Sequence, residues 1–236
     1  MKKANIAIIG GTGISALLDT SESIKLGTPY GLAPPIFLGE LGEWNIAFLP
    51  RHGVQHDVPP HMVNYRANIY ALHSLGVERI IATNAVGAVN RDFEQGDLVV
   101  PHDIVDFTRL RANTFYDNAP VAHIDMCEPY CPELRTILIK AAQKKGPNLH
   151  TRAVFVCTDG PRLETPAEIE VFRRLGCDIV GMTGMPEAAL ARELEICYAT
   201  VCFITNMAAG IERHLPSSEL VKVAKKIAPA LQQVLR

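Results

Sequence analysis

Arg51 and His52 directly follow an apolar run that ends at Leu49. A guanidinium can hold a phosphate oxyanion through two parallel N–H bonds, and a neighbouring imidazole can add another donor. Further along, Glu164 stands in the loop sequence Gly160-Pro161-Arg162-Leu163-Glu164, and Asn206 closes a second apolar run. A carboxylate only accepts hydrogen bonds whereas an amide donates and accepts, so the two together could read the edge of a heterocycle. Each residue also has a plainer reading. Arg51 and His52 could be a surface cation and a satisfied histidine, Glu164 a charge at a helix N-terminus, and Asn206 a turn residue.

Small polar clusters complete the set. Gly10-Gly11-Thr12-Gly13 follows a run of β-branched residues, and such a loop lets backbone N–H groups approach an oxyanion while the Thr12 hydroxyl adds a donor. It could equally be a tight turn, and Gly11, Gly13 and Ala16 satisfy a relaxed dinucleotide fingerprint. Against the dinucleotide reading, no Asp or Glu stands about 20 residues on, where a ribose ligand would be expected. Asn84-Ala85-Val86-Gly87 and Thr183-Gly184 are expected to follow apolar strands and to offer backbone N–H groups or hydroxyls to the same anion. His52 and His56 have the i, i+4 spacing of metal ligands on a helix. Gly53, Pro59 and Pro60 deny them that helix, so no metal is expected.

The elements that must position these groups alternate between strands and helices. Strands are expected over Ile6–Ile9, Ile36–Leu38, Ile46–Leu49, Arg79–Thr83, Leu98–Val100, Ala153–Cys157, Ile179–Met182 and Thr200–Thr205, with helical stretches between several of them, which makes the class α/β. Runs rich in β-branched residues suit strands covered on both faces, where ligands bind as the strands run out into loops. A helix from about Met62 to Leu75 should stop at Gly76, which tolerates the left-handed backbone of a helix end. Thr165-Pro166-Ala167-Glu168 is a capping box with proline at the first helical position, which leaves Glu164 on the preceding loop. Pro132 and Pro186 can open helices in the same way. The amphipathic stretch from Ser218 to Leu235 should kink or break at Pro229.

The chain of 236 residues, 48% hydrophobic and 20% charged, can bury one large core and is expected to form a single domain over 1–236. A net charge of −2, with Lys and Arg dispersed, provides no basic stripe for nucleic acid and no polybasic membrane patch. A small molecule is the expected partner. Lys2 and Lys3 precede an apolar run that glycines interrupt too early for a signal peptide or membrane span, so the expected location is cytoplasmic. Six cysteines without a CxxC pair read as buried free thiols.

The motifs match a known family in order. GGTG at Gly10, RHG at Arg51, VNYRANIYAL at Val63, TNAVGA at Thr83, FYD at Phe115, EPYCP at Glu128, DGPRLET at Asp159, MTGMPEAALARE at Met182 and ITN at Ile204 resemble the trimeric purine nucleoside phosphorylases, and within them the 5′-methylthioadenosine phosphorylase branch. The resemblance implies a single α/β domain with a mixed, partly barrel-like central sheet flanked by helices. It also implies a homotrimer, or two such rings as a homohexamer, and phosphorolysis of a purine nucleoside without a cofactor, inorganic phosphate being a co-substrate. It places phosphate against Thr12, Arg51, His52, the backbone N–H of Ala85, and Thr183. Met182 would pack on the ribose, while His123 would reach the 5′ end of the nucleoside in a neighbouring subunit and Val221 would line that 5′ pocket.

The base site departs from that branch. Glu164 stands where methylthioadenosine phosphorylases carry Ser, and Asn206 where they carry Asp, as in phosphorylases acting on inosine and guanosine. A 6-oxopurine presents N1–H, which a carboxylate accepts, while adenine presents a bare lone pair that the carboxylate opposes. An opposed or unpaired acceptor costs about 1–3 kcal/mol, enough for roughly tenfold to over a hundredfold discrimination. A methylthioadenosine-type body with an inosine-reading base site resembles the 5′-methylthioinosine phosphorylases, and hypoxanthine and 5-methylthioribose 1-phosphate would be the products.

Overall fold

In the computed structural model, which describes residues 4–10, 22–118, 120–145, 148–212 and 217–235, the first apolar run sends alternate side chains to opposite faces of one sheet. Ile8 joins one buried cluster and Ile9 another. In chain order, β1 (Ile6–Gly10), β2 (Glu22–Ile24), β3 (Gly27–Thr28), β4 (Gly31–Leu32), β5 (Ile36–Leu41) and β6 (Trp44–Pro50) precede the first helix, α1 (Tyr65–Ser74). β7 (Arg79–Ala88), β8 (Leu98–Val99) and β9 (Asp103–Asp106) lead to α2 (Pro132–Lys145). Then come β10 (Leu149–His150), β11 (Val154–Cys157), α3 (Pro166–Arg174), β12 (Ile179–Gly181), α4 (Glu187–Glu193), β13 (Cys197–Met207) and α5 (Ser217–Leu235).

The sheet is mixed, with eleven strands among the described residues, and it branches at β7. One edge of β7 pairs in parallel with β13 along nearly its whole length. The other edge is shared: β1 pairs with Arg79–Ala82 and the antiparallel β12 pairs with Gly87 and Ala88. Between these two partners the edge from Thr83 to Val86 has no strand against it among the described residues. That gap is where the sheet opens. Helices α1 and α4 pack together over one face, with Leu72 and Leu190 beside Ile9, and α2 and α5 cover the other, with Leu138 and Leu231 beside Ile8. Fully burying one such leucine contributes about 1.5–3 kcal/mol, so the two layers hold the gap between stiff walls.

Local signals in the sequence are realised. α1 stops where Gly76 takes φ +83° and its N–H bonds to the His73 carbonyl. The capping box forms: the Thr165 hydroxyl accepts from the Glu168 N–H, and the Glu168 carboxylate accepts from the Thr165 N–H.

Four expectations need correction. Asn84 to Gly87 do not follow a strand but lie inside β7, because parallel pairing with β13 carries the strand on to Ala88. Pro229 lies within a continuous α5 rather than breaking it. Strands β2, β3, β4, β9 and β10 lie outside the expected set, because they are short and carry polar residues or glycine. Finally, the cysteines are not all free. Cys131, just before α2, is disulfide-bonded to Cys197 at the start of β13, with Cα atoms 5.3 Å apart, while Cys157, Cys177 and Cys202 are buried thiols and Cys127 is exposed. The Cys131 N–H bonds to the Tyr198 carbonyl, so docking of α2 onto β13 creates a proximity that 66 residues of sequence separation hide.

Candidate active site

A cavity of about 910 Å³ occupies the gap along β7. Seven residues expected from the sequence line it: Arg51, His52, Ala85, Glu164, Met182, Thr183 and Asn206. They arrive from the end of β6, the middle of β7, the loop before α3, the turn after β12 and the end of β13. Thr12 lies outside the described residues. Val221 sits on α5, but its side chain is also outside them, while its neighbours Leu220 and Ala224 reach the cavity. His123 does not join the group: it is exposed on the stretch before α2 and does not line the cavity.

One end of the cavity is built around a buried ion pair. Arg51 donates from Nε to Glu187 Oε2 at 2.8 Å and from Nη2 to Oε1 at 2.7 Å, and its Nη1 reaches the Thr83 carbonyl at 2.9 Å. The side chains of Arg51 and Glu187 are 1% and 0% exposed. Burial would lower the Arg51 pKa, but the charge and hydrogen bonds of Glu187 outweigh it and hold the guanidinium well above its ordinary value. The Tyr198 hydroxyl donates to the same carboxylate at 2.8 Å. Three of the five guanidinium N–H groups are thus committed, which fixes the plane and leaves two to offer to a ligand.

His52 plays a different part from the expected donor. Its Nδ1 lies 2.9 Å from the Val58 carbonyl, which only accepts, so Nδ1 carries the proton. Burial, then the Arg51 charge, lowers its pKa to about 4, despite the opposing Val58 bond. Neutral His52 therefore presents Nε2 as an acceptor. The Thr183 side chain is likewise tied into the wall. Its hydroxyl donates to Asn84 Oδ1 at 2.5 Å, Asn84 Nδ2 donates to Thr200 Oγ1 at 2.7 Å, and Thr200 donates to the Ala82 carbonyl at 3.2 Å. With its proton spent inside the wall, the Thr183 hydroxyl oxygen accepts, and its donor capacity to a ligand lies in the backbone N–H.

The other end is held more lightly. Glu164 Oε1 accepts from the Thr158 hydroxyl at 2.8 Å. Asn206 sits at a register shift in β13; its Oδ1 accepts from Thr205 at 2.9 Å and its Nδ2 donates to the Met207 carbonyl at 2.9 Å. One amide N–H and one oxygen lone pair remain. On the loop before Glu164, Gly160 takes φ +64°, a conformation that favours glycine, and a Cβ there would press on the Met182 side chain at 2.5 Å from its sulfur. Arg111 clamps the loop from behind by donating to the carbonyls of Thr158, Asp159 and Met185.

Residues 5–236 match the model of a family described as the phosphorylase superfamily. The chain belongs to the phosphorylase superfamily. Among relatives, it is 49% identical over 232 residues to a probable S-methyl-5′-thioinosine phosphorylase of Methanopyrus kandleri, covering 98% of this chain and 90% of that one. It is 52% identical to a 6-oxopurine nucleoside phosphorylase of Pyrococcus furiosus, covering 94% and 86%. A solved methylthioadenosine phosphorylase from an antarctic soil metagenomic library superposes with a TM-score of 0.94 at 40% identity, covering 100% of this chain and 85% of its own.

Sequence reasoning missed four supporting residues: Glu187, Tyr198, Thr158 and Arg111. Glu187 did carry a signal. An acidic residue opening the apolar Ala-Ala-Leu-Ala run of α4 must be buried, and a buried carboxylate needs a cation.

Proposed function

We propose that this phosphorylase cleaves the N-glycosidic bond of 6-oxopurine nucleosides with inorganic phosphate, 5′-methylthioinosine being preferred, to give hypoxanthine and 5-methylthioribose 1-phosphate. The observation that carries the reading is the placement of Glu164 and Asn206 in one cavity with Arg51, His52, Ala85 and Thr183. The names of the relatives quoted above support the same substrate class. Phosphate is an anionic nucleophile already, so binding has only to orient it below C1′. A phosphate oxygen forms the new bond to C1′ while the C1′–N9 bond breaks and its electron pair moves onto the purine. The one free Asn206 N–H donates to O6, where that charge develops, Glu164 accepts from N1–H, and water supplies the proton that N7 takes and shares with the Asn206 amide oxygen as hypoxanthine leaves. No cofactor is needed for these steps.

Thr12 belongs with the phosphate ligands and Met182 beneath the ribose. The exposure of His123 suits a role across a subunit boundary, with the protein a homotrimer or a homohexamer, Val221 in the 5′ pocket, and a cytoplasmic location. No helix among the described residues is long and apolar enough to cross a membrane. The test is phosphate-dependent release of hypoxanthine, measured for methylthioinosine, inosine, guanosine and methylthioadenosine in parallel. Cleavage of methylthioadenosine alone would overturn the base assignment, and NAD binding without any phosphate effect would overturn the reaction class.

A further inference from the structure

We propose that Thr158 is the positioning residue of the base reader: its hydroxyl holds one oxygen of Glu164 and thereby aims the other at the purine. The inference rests on the 6-oxopurine reading given above. Glu164 immediately precedes the N-cap of α3, where a carboxylate would ordinarily be drawn to the helix N–H groups. Here the N–H groups of Thr165 and Glu168 are engaged within the capping box. The Thr165 N–H goes to Glu168 Oε2 at 2.7 Å, the Glu168 N–H goes to the Thr165 hydroxyl at 3.2 Å, and Pro166 has none. The cation nearest in sequence is engaged as well, since Arg162 is bonded to both oxygens of Glu168 at 2.8 and 2.7 Å. Glu164 instead takes its hydrogen bond from the Thr158 hydroxyl, at 2.8 Å.

Thr158 is itself well anchored. Its N–H bonds to the Gly181 carbonyl at 2.9 Å and its own carbonyl accepts from Arg111 at 3.3 Å. A β-branched side chain on a fixed backbone has few rotamers, so the hydroxyl direction is set by the sheet rather than by the loop. Its alternative acceptor, the Gly181 carbonyl, is farther away at 3.5 Å. Thr158 does not line the cavity, and it acts only through Glu164. With one oxygen held by Thr158, the other is aimed as an acceptor, which meets the N1–H of a 6-oxopurine and opposes the bare N1 of a 6-aminopurine. The same bond therefore orients Glu164 for a 6-oxopurine and disfavours a 6-aminopurine.

The experiment compares wild type, Thr158→Val and Thr158→Ser on methylthioinosine, methylthioadenosine and phosphate. Removing one hydrogen bond to a charged group should raise the KM for methylthioinosine about tenfold while kcat changes less than about twofold, the signature of lost uniform binding. Preference for methylthioinosine over methylthioadenosine should fall by a similar factor, with the KM for phosphate unchanged. Thr158→Ser, which keeps the donor, should restore the wild-type KM to within about threefold. The proposal is overturned, with the 6-oxopurine reading intact, if Thr158→Val keeps the wild-type KM and preference. It is overturned equally if both variants lose activity on every substrate together and raise the phosphate KM, which marks a merely structural role. A wild type that cleaves neither methylthioinosine nor inosine removes the substrate reading and the positioning role with it.

Discussion

At the phosphate end of the cavity a guanidinium and a carboxylate face each other in the core, bonded twice and backed by the Tyr198 hydroxyl. At the base end Glu164 and Asn206 are only half-buried; Glu164 is held by one hydrogen bond from Thr158 and Asn206 by one to each neighbour on its strand. The difference teaches where such a site can change. A buried ion pair is costly to break from one side because the orphaned charge stays behind, whereas a half-buried acceptor can be exchanged with water making up the loss. In the proposed reading the first end anchors phosphate and the second chooses the base.

That contrast can be broken most directly at Glu187. Replacing it by Ala should strand the Arg51 charge and cost about 3–5 kcal/mol in denaturant unfolding, with a large rise in the KM for phosphate. A loss below about 1 kcal/mol would mean that the pair is not the anchor. The base end should respond in specificity instead. Asn206→Asp combined with Glu164→Ser should raise the ratio of methylthioadenosine to methylthioinosine cleavage at least about tenfold, with stability changed by less than about 1 kcal/mol. An unchanged ratio in parallel assays would count against both assigned roles. Gly160→Ala tests the packing beneath the base loop, because its positive φ and the Met182 contact should cost about 1–2 kcal/mol. Its thermal shift should come with a weaker nucleoside KM and an unaltered phosphate KM.

A separate test of the phosphate end is the pH dependence of His52. Its folded pKa, about 4, lies below the ordinary 6.5, so the unfolded chain binds the proton first and stability falls as pH drops from about 6.5 toward 4. Above 6.5 the histidine contributes no slope. His52→Asn, which can keep a donor to the Val58 carbonyl, should flatten that part of a stability-versus-pH profile measured by denaturant titration. An unchanged slope would show that the titration belongs to other groups.

Much of the site was readable because its residues sit at recognisable local signals. The capping box placed Glu164 on a loop, the apolar run before Arg51 placed it at a strand end, and Gly76 marked the close of α1. The hydrogen-bond roles of His52 and Thr183 were not readable, since they depend on the Val58 carbonyl and the Asn84 amide, which sequence spacing does not bring to mind as partners. The extension of β7 through Asn84 to Gly87 was hidden for a related reason: small polar residues look like a turn until a parallel partner strand is known to run beside them.

The amino-acid sequence by itself determined the α/β class, the family and the pair Glu164 and Asn206 that sets the expected base preference. These follow from side-chain chemistry and short-range patterns, which are present before the chain folds. Tertiary structure alone decided that β1 and β12 share an edge of β7 and leave a gap, that Arg51 is paired with Glu187 across 136 residues, and that Cys131 meets Cys197. Each of those depends on which strands become neighbours, and that is fixed by packing two helical layers onto one sheet.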